Sequence, residues 1–220
     1  MNVKEQAFPE NQYFQEEHKK TQIYLHHTAG NASGTQTFAG WAANAERVGT
    51  CVAITGKGKN CVDGQIIRGF SSKHWAYHLG VKGAVFQRHK VPYKQLDQIS
   101  IGIEICNWGY LTKKGDKFYN YVNREVPKEE VCELEQPYKG YKYWHNYTDA
   151  QIESVKELLL YWNETYNIPL DYNEDIWAVT TRALKGEAGV FTHNSVRADK
   201  TDVYPHPKLI EMLKSLTSQA

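Results

Sequence analysis

Three stretches of the sequence carry side chains able to do chemistry together. His26 and His27 close a β-branched and aromatic run, QIYLHH, that reads as a strand entering the turn-forming segment TAGNASG. Neighbouring strand residues point to opposite faces, so only one imidazole of the pair can enter a given site. Alone, either is equally well read as a hydrogen-bonded or surface imidazole. Far downstream, THNSVRADKTDVYP (192–205) puts His193, Lys200 and Asp202 in an irregular segment ahead of the last helix. A histidine from a strand with a histidine and a carboxylate from a loop makes a three-ligand set that leaves the fourth position of Zn²⁺ open to water. Glu104 sits inside the isoleucine-flanked run SIGIEIC, where a carboxylate is costly to desolvate without a partner. It is either a solvated or salt-bridged strand-end residue, or a general base whose pKa burial raises towards the working pH.

The elements that must position these groups follow from periodicity and turn chemistry. Ser100 to Cys106 reads as a buried central strand in which Ile101, Ile103 and Ile105 alternate with Gly102, Glu104 and Cys106. Thr50 to Ile54 and Gln65 to Phe70 read as short strands around a loop ending in the hairpin signal Asp63-Gly64. Thr35 to Arg47 has Phe38, Trp41, Ala42 and Ala45 at helical spacing. Thr148 to Tyr166 carries a capping box, Thr148 with Gln151, and one apolar stripe of Ile152, Val155, Leu158, Leu159 and Trp162. A last helix starts near Pro207 and buries Leu209, Ile210, Leu213 and Leu216. Strands interleaved with helices predict an α/β fold, a single domain with a mixed central sheet flanked by helices. Residues 1–20 read as a polar arm before a domain at 21–220. An aperiodic stretch rich in Lys, Glu, Tyr and Gly, about 112–144, reads as an inserted hairpin or long loop.

Composition narrows the partners. With 26 Lys+Arg against 25 Asp+Glu and a formal net charge of +1, the chain of 220 residues lacks the basic excess that nucleic acid binding requires. Its most apolar helical stretch, Val155 to Trp162, is far shorter than the roughly 20 residues that span a bilayer. The N-terminus has no apolar run of a secretory signal. These features predict a soluble monomer made in the cytoplasm. Four cysteines, Cys51, Cys61, Cys106 and Cys132, form no C-x-x-C pair and read as free thiols, with a Cys51 to Cys61 bridge as the alternative.

The strings IYLHHTAG, WAYHLG, SIGIE and the His193…Lys200-x-Asp202 segment, in that order, resemble the zinc-dependent N-acetylmuramoyl-L-alanine amidases. That family includes phage endolysins, bacterial amidases that recycle wall fragments, and the animal peptidoglycan recognition proteins. The likeness runs from about Gln22 to Pro205. It implies an amidase-like fold, Zn²⁺ held by His26, His193 and Asp202, Glu104 as general base, and Lys200 as the cation that stabilises the oxyanion. His27 is then a neighbour facing the other side of its strand. His78, in WAYHLG, takes a substrate-side role by the same resemblance. Asn107 and Trp108 either line the groove or only pack. Arg197 either meets a substrate carboxylate bidentately or balances Asp199. The chain departs from the family where Asp202 is followed by Val203-Tyr204-Pro205 instead of Pro-Gly, and where Thr50 stands at a position that holds a tyrosine in some members. The activity implied is hydrolysis of the amide between N-acetylmuramic acid and L-alanine, most similar to single-domain endolysins that act on the wall after release. The alternatives are a peptidoglycan-binding module without catalysis, a cytosolic amidase acting on muropeptides, and a zinc hydrolase of another bond.

Overall fold

The runs QIYLHH and SIGIEI become the two longest strands of a central sheet, and every one of their residues is buried. Parallel strands covered on both faces are apolar nearly throughout, which is why neither shows a clean polar-out alternation. The computed structural model describes residues 1–217. Its strands in chain order are β1 (Val3–Glu5), β2 (Gln22–His27), β3 (Val52–Ile54), β4 (Ile66–Arg68), β5 (Ser100–Ile105), β6 (Tyr110–Lys114), β7 (Lys117–Tyr119), β8 (Glu125–Val126), β9 (Val131–Tyr138), β10 (Tyr141–His145) and β11 (Gly189–Thr192). The central sheet has the order β1-β4-β3-β5-β2-β11. Strands β3, β5, β2 and β11 are mutually parallel, while β4 runs antiparallel to β3, so the sheet is mixed as the sequence predicts. The register sets His26 and Ala53 on either side of Glu104.

The helices are α1 (Gly34–Ala42), α2 (Gly83–Arg88), α3 (Leu96–Ile99), α4 (Asp149–Tyr166), α5 (Thr181–Lys185) and α6 (Pro207–Leu216). Helix α1 packs on β3 and β4, and α4 packs on β3 and α6. Thr148 and Gln151 form the reciprocal capping box at the start of α4, and Asn167 in the left-handed region ends it. The predicted stripe Ile152, Val155, Leu158, Leu159 and Trp162 is its buried face. Each such aliphatic side chain contributes about 1.5–3 kcal/mol of burial. In α6 the buried residues are Leu209, Met212 and Leu213, while Ile210 and Leu216 are half-buried at the edge of the stripe. All four cysteines are free. No helix among the described residues is long and apolar enough to cross a membrane.

Two expectations change. Residues 1–20 are not a free arm: β1 pairs with β4 as the edge of the central sheet, Phe8 enters the core, and Phe14 stacks on Trp75 with centroids 3.9 Å apart. Isolated apolar residues in a polar text find separate seats on the body, a pattern that has no period to read. The predicted domain boundary at 21 therefore falls within one folded body, and its end at 220 lies outside the described residues. The stretch read as a hairpin or long loop is a second, five-stranded antiparallel sheet, order β8-β7-β6-β10-β9. Its small core is Leu111, Phe118 and Val126. Strands this short, exposed on one side, carry too few apolar residues to register as periodic.

His206 caps α6 in its neutral form. Its Nδ1 accepts from the Leu209 N–H at 3.3 Å, and its Nε2–H donates to Asn146 Oδ1 at 2.6 Å. Burial, and then the charge of Lys208, push its pKa down to about 4. An unfolded imidazole protonates near 6.5, so between roughly pH 6.5 and 4 the unfolded chain binds the extra proton and stability falls as pH falls. Asparagine also caps helices, and His206→Asn removes this titration. Urea unfolding from pH 7 to 4 is expected to show wild type losing up to about 3 kcal/mol relative to His206→Asn; parallel curves would exclude the mechanism.

Candidate functional site

The C-terminal half of β2 delivers His26, and β11 leads into a short 3-10 turn that starts at His193. These strands are hydrogen-bonded neighbours, which brings residues 167 positions apart into contact. His26 Nδ1 lies 3.1 Å from His193 Nδ1 and 3.1 Å from Asp202 Oδ2, and His193 Nδ1 lies 2.9 Å from the same oxygen. Leu79 O can only accept, so the 2.9 Å contact to it places a proton on His193 Nε2 and leaves the Nδ1 lone pair of the neutral ring facing the cluster. Burial raises the Asp202 pKa, but the close approach of the His193 and His26 imidazoles outweighs it and holds the carboxyl well below the usual range. Burial and the neighbouring His193 push His26 down to about 4, so that ring is neutral at pH 7. Two imidazole nitrogens and an anionic oxygen thus form a triangle about as wide as the ligand edges of a small tetrahedral cation. The donor set fits Zn²⁺.

Glu104 lies beside this cluster on β5, in a pocket of about 330 Å³ that His26, His193, Asp202, Lys200 and Thr50 also line. Burial, and then the negative charge of Asp202, push its pKa well above the usual value, with Lys200 opposing. Lys200 is half-buried and makes no ion pair among the described residues, so its ammonium is available to the pocket. Gly102, two residues before Glu104 on the same face, has a specific reason to be glycine. A Cβ there would stand 2.5 Å from Thr50 Cγ2 and 3.0 Å from His78 Nδ1.

His27 faces the other side of β2, where its Nδ1 meets the Tyr147 hydroxyl at 2.8 Å. The remaining predicted residues fall among the alternatives that the sequence left open. His78 reaches the pocket wall, but both ring nitrogens are committed, Nδ1 to His26 Nε2 at 3.0 Å and Nε2 to Ser100 Oγ at 2.9 Å. It stands beside His26 in the wall of the pocket. Asn107 is 1% exposed, its Nδ2 donates to His145 O and Asn146 O and its Oδ1 accepts from the Gly109 N–H, so it ties the end of β5 to the second sheet. Trp108 lines a separate groove of about 720 Å³ with Arg124 and Pro127. Arg197 is paired bidentately with Asp199, which takes its guanidinium out of the pocket. Sequence reasoning missed Asp97, Ser100 and the Leu79 carbonyl, which support the histidines. Their signal is only a buried polar side chain, or a backbone atom, beside a motif.

The departure Val203-Tyr204 anchors the ligand loop. Asn194 Nδ2 donates to both Asp202 O at 3.0 Å and Val203 O at 2.9 Å. Tyr204 is fully buried and stacks on Trp144 at 4.6 Å and Tyr147 at 4.9 Å, while its hydroxyl donates to His145 O. The second sheet therefore holds the loop that carries Asp202.

Charge balance decides the class of protein. An anionic carboxylate beside two lone pairs in a desolvated pocket calls for a cation, and a buried glutamate next to it is the group a hydrolase needs to move a proton. The chain belongs to the amidase-2 family, described as N-acetylmuramoyl-L-alanine amidase, whose model matches residues 17–207. It is accordingly a hydrolase of the amide between N-acetylmuramic acid and L-alanine in peptidoglycan. A comparison with curated proteins gives no match. Among solved structures, PlyL is similar over 100% of this chain and 99% of its own, with TM-score 0.54 and 17% identity. The PlyG catalytic domain gives TM-score 0.55 and 14% identity over 100% of this chain and 99% of that one. The N-acetylmuramyl-L-alanine amidase AmiD from E. coli, solved in complex with the substrate anhydro-N-acetylmuramic acid-L-Ala-D-gamma-Glu-L-Lys, gives TM-score 0.53 and 15% identity over 93% of this chain and 60% of that one. At these identities the likeness is one of fold.

Asn194→Ala leaves the Asp202 and Val203 carbonyls without their shared donor. Denaturant unfolding is expected to show a loss of about 1–3 kcal/mol, with faster amide exchange at 199–204. Unchanged exchange in that loop would mean that the aromatic stack alone holds it.

Proposed function

We propose that this chain is a zinc-dependent, endolysin-like amidase in which His26, His193 and Asp202 hold Zn²⁺, Glu104 is the general base and Lys200 stabilises the oxyanion. The observation that supports it is the convergence of the three donor atoms within 4.8 Å of one another in the same pocket as the buried Glu104. Zinc, when bound there, supplies Lewis acidity that polarises the lactyl carbonyl and lowers the pKa of water. Glu104 accepts a proton from the attacking water as its oxygen adds to the carbonyl carbon. The Lys200 ammonium faces the negative charge that develops on the carbonyl oxygen. Glu104 then gives its proton to the L-Ala nitrogen as the C–N bond breaks, leaving a lactyl carboxylate and a free amine. Burial and the charge of Asp202 raise the Glu104 pKa, which makes it a stronger base than an exposed carboxylate.

In this reading the protein is a monomer that is made in the cytoplasm and meets the wall after release, without inserting into a membrane. A cytosolic amidase would cut soluble muropeptides but spare intact sacculi, and assays on both substrates separate the two settings.

With zinc and purified peptidoglycan, new L-Ala amino groups are expected, and mass spectrometry should find intact stem peptides and free glycan chains. Glu104→Gln is expected to lower kcat by about 10²–10⁴-fold while keeping zinc. His26→Ala is expected to lose the metal. Products cut within the stem peptide, or full activity in Glu104→Gln, would refute the assignment.

A further inference from the structure

Both candidate histidine ligands are held from behind by one dipeptide. The His78 ring meets His26 Nε2 at 3.0 Å, and the carbonyl of the next residue, Leu79, accepts from His193 Nε2 at 2.9 Å. This dipeptide is fixed in turn by one carboxylate. Asp97 Oδ1 accepts the backbone N–H of His78 at 2.9 Å and that of Leu79 at 3.0 Å. Asp97 and Leu79 are buried, at 4% and 1% exposure, and His78 is half-buried. Ser100 Oγ, 2.9 Å from His78 Nε2, closes the other end of the ring's hydrogen bonding.

We infer that Asp97 is a positioning residue for the metal centre, acting through the His78-Leu79 dipeptide to fix the ring orientation and the metal-facing nitrogen of both His26 and His193. The inference rests on the zinc reading above and adds a residue that touches neither metal nor substrate. Its physical basis is directional. Leu79 O can only accept, which commits Nε2 of His193 as donor and Nδ1 as the free lone pair. With Ser100 Oγ accepting from His78 Nε2–H, His78 Nδ1 is left to accept from His26 Nε2–H, which frees Nδ1 of His26 as well. Partners of this kind fix the tautomer of a ligating imidazole, and their loss typically weakens metal binding about 10–100-fold. The chain segment is economical: α3 carries Asp97, and β5, which follows without a break, carries Ser100 at its start and Glu104 near its end. One continuous segment, α3 followed by β5, thus supplies the anchor of the ligands and the base beside them.

The test is zinc affinity of the full chain, measured by competition with a chromophoric chelator, together with the visible spectrum of the cobalt(II) form. Asp97→Ala should bind zinc about 10–100-fold more weakly and shift the cobalt bands. Asp97→Asn, whose amide oxygen can still accept both N–H groups, should stay near wild type in both readouts. Wild-type affinity in Asp97→Ala, or an equal loss in Asp97→Asn, overturns the inference. If Asp97→Ala does not fold, the pair His78→Phe and His78→Asn carries the test. Phenylalanine should lose zinc affinity and asparagine, whose Oδ1 can take the His26 proton, should restore it; equal affinities overturn the inference. A wild-type protein that binds no zinc refutes the metal reading itself, and the clamp with it.

Discussion

Two carboxylates, Asp202 and Glu104, are buried in one pocket, and the remainder of the structure is organised around keeping them there. Desolvating one anion costs several kcal/mol, and a second nearby adds repulsion. The two are treated differently. Asp202 receives two imidazoles and stays ionised, while Glu104 receives no such partner and its pKa rises through burial and the charge of Asp202. Like groups in unlike surroundings are suited to separate roles, an ionised one to facing a cation and one of raised pKa to moving a proton. The half-buried Lys200 sits between these demands, since its charge opposes the rise at Glu104.

Rigid elements surround this electrostatic arrangement. His26 and Glu104 are register partners on adjacent parallel strands, so their separation is set by the sheet ladder and not by a loop. The loop residue, Asp202, needs separate support and has it from two sides. Asn194 binds the carbonyls of Asp202 and Val203, and Tyr204 is locked in an aromatic stack with Trp144 and Tyr147. The second sheet, at first sight an appendage, is a buttress for the ligand loop, because Trp144 lies on β10 and His145 O takes the Tyr204 hydroxyl. The Val203-Tyr204 pair and the second sheet are two sides of one packing solution.

That sheet also carries Trp108 and Arg124 to a groove apart from the pocket of His26, His193 and Asp202. Asn107, next to Trp108, uses both amide N–H groups on the chain leaving the second sheet, at His145 O and Asn146 O. A polar residue beside a motif can therefore be wholly structural, and its amide bonding pattern, not its position in the sequence, tells the two cases apart.

The sequence by itself determined the strands and helices with strong local signals: β2 and β5 from their apolar runs, α4 from its capping box and stripe, α6 from Pro207. Through the ordered motifs it also determined which side chains are candidates for chemistry. It determined little about residues 1–20 or 110–145, where short, half-exposed strands leave no period to read. Only the tertiary structure decided that His78 Nδ1 meets His26, that Arg197 pairs with Asp199, and that Leu79 O meets His193. Those outcomes depend on hydrogen-bond direction and on which atoms meet across strands up to 167 residues apart. A linear text carries residue type and spacing, but the partner of each nitrogen and oxygen is fixed only when burial forces every polar group to find one.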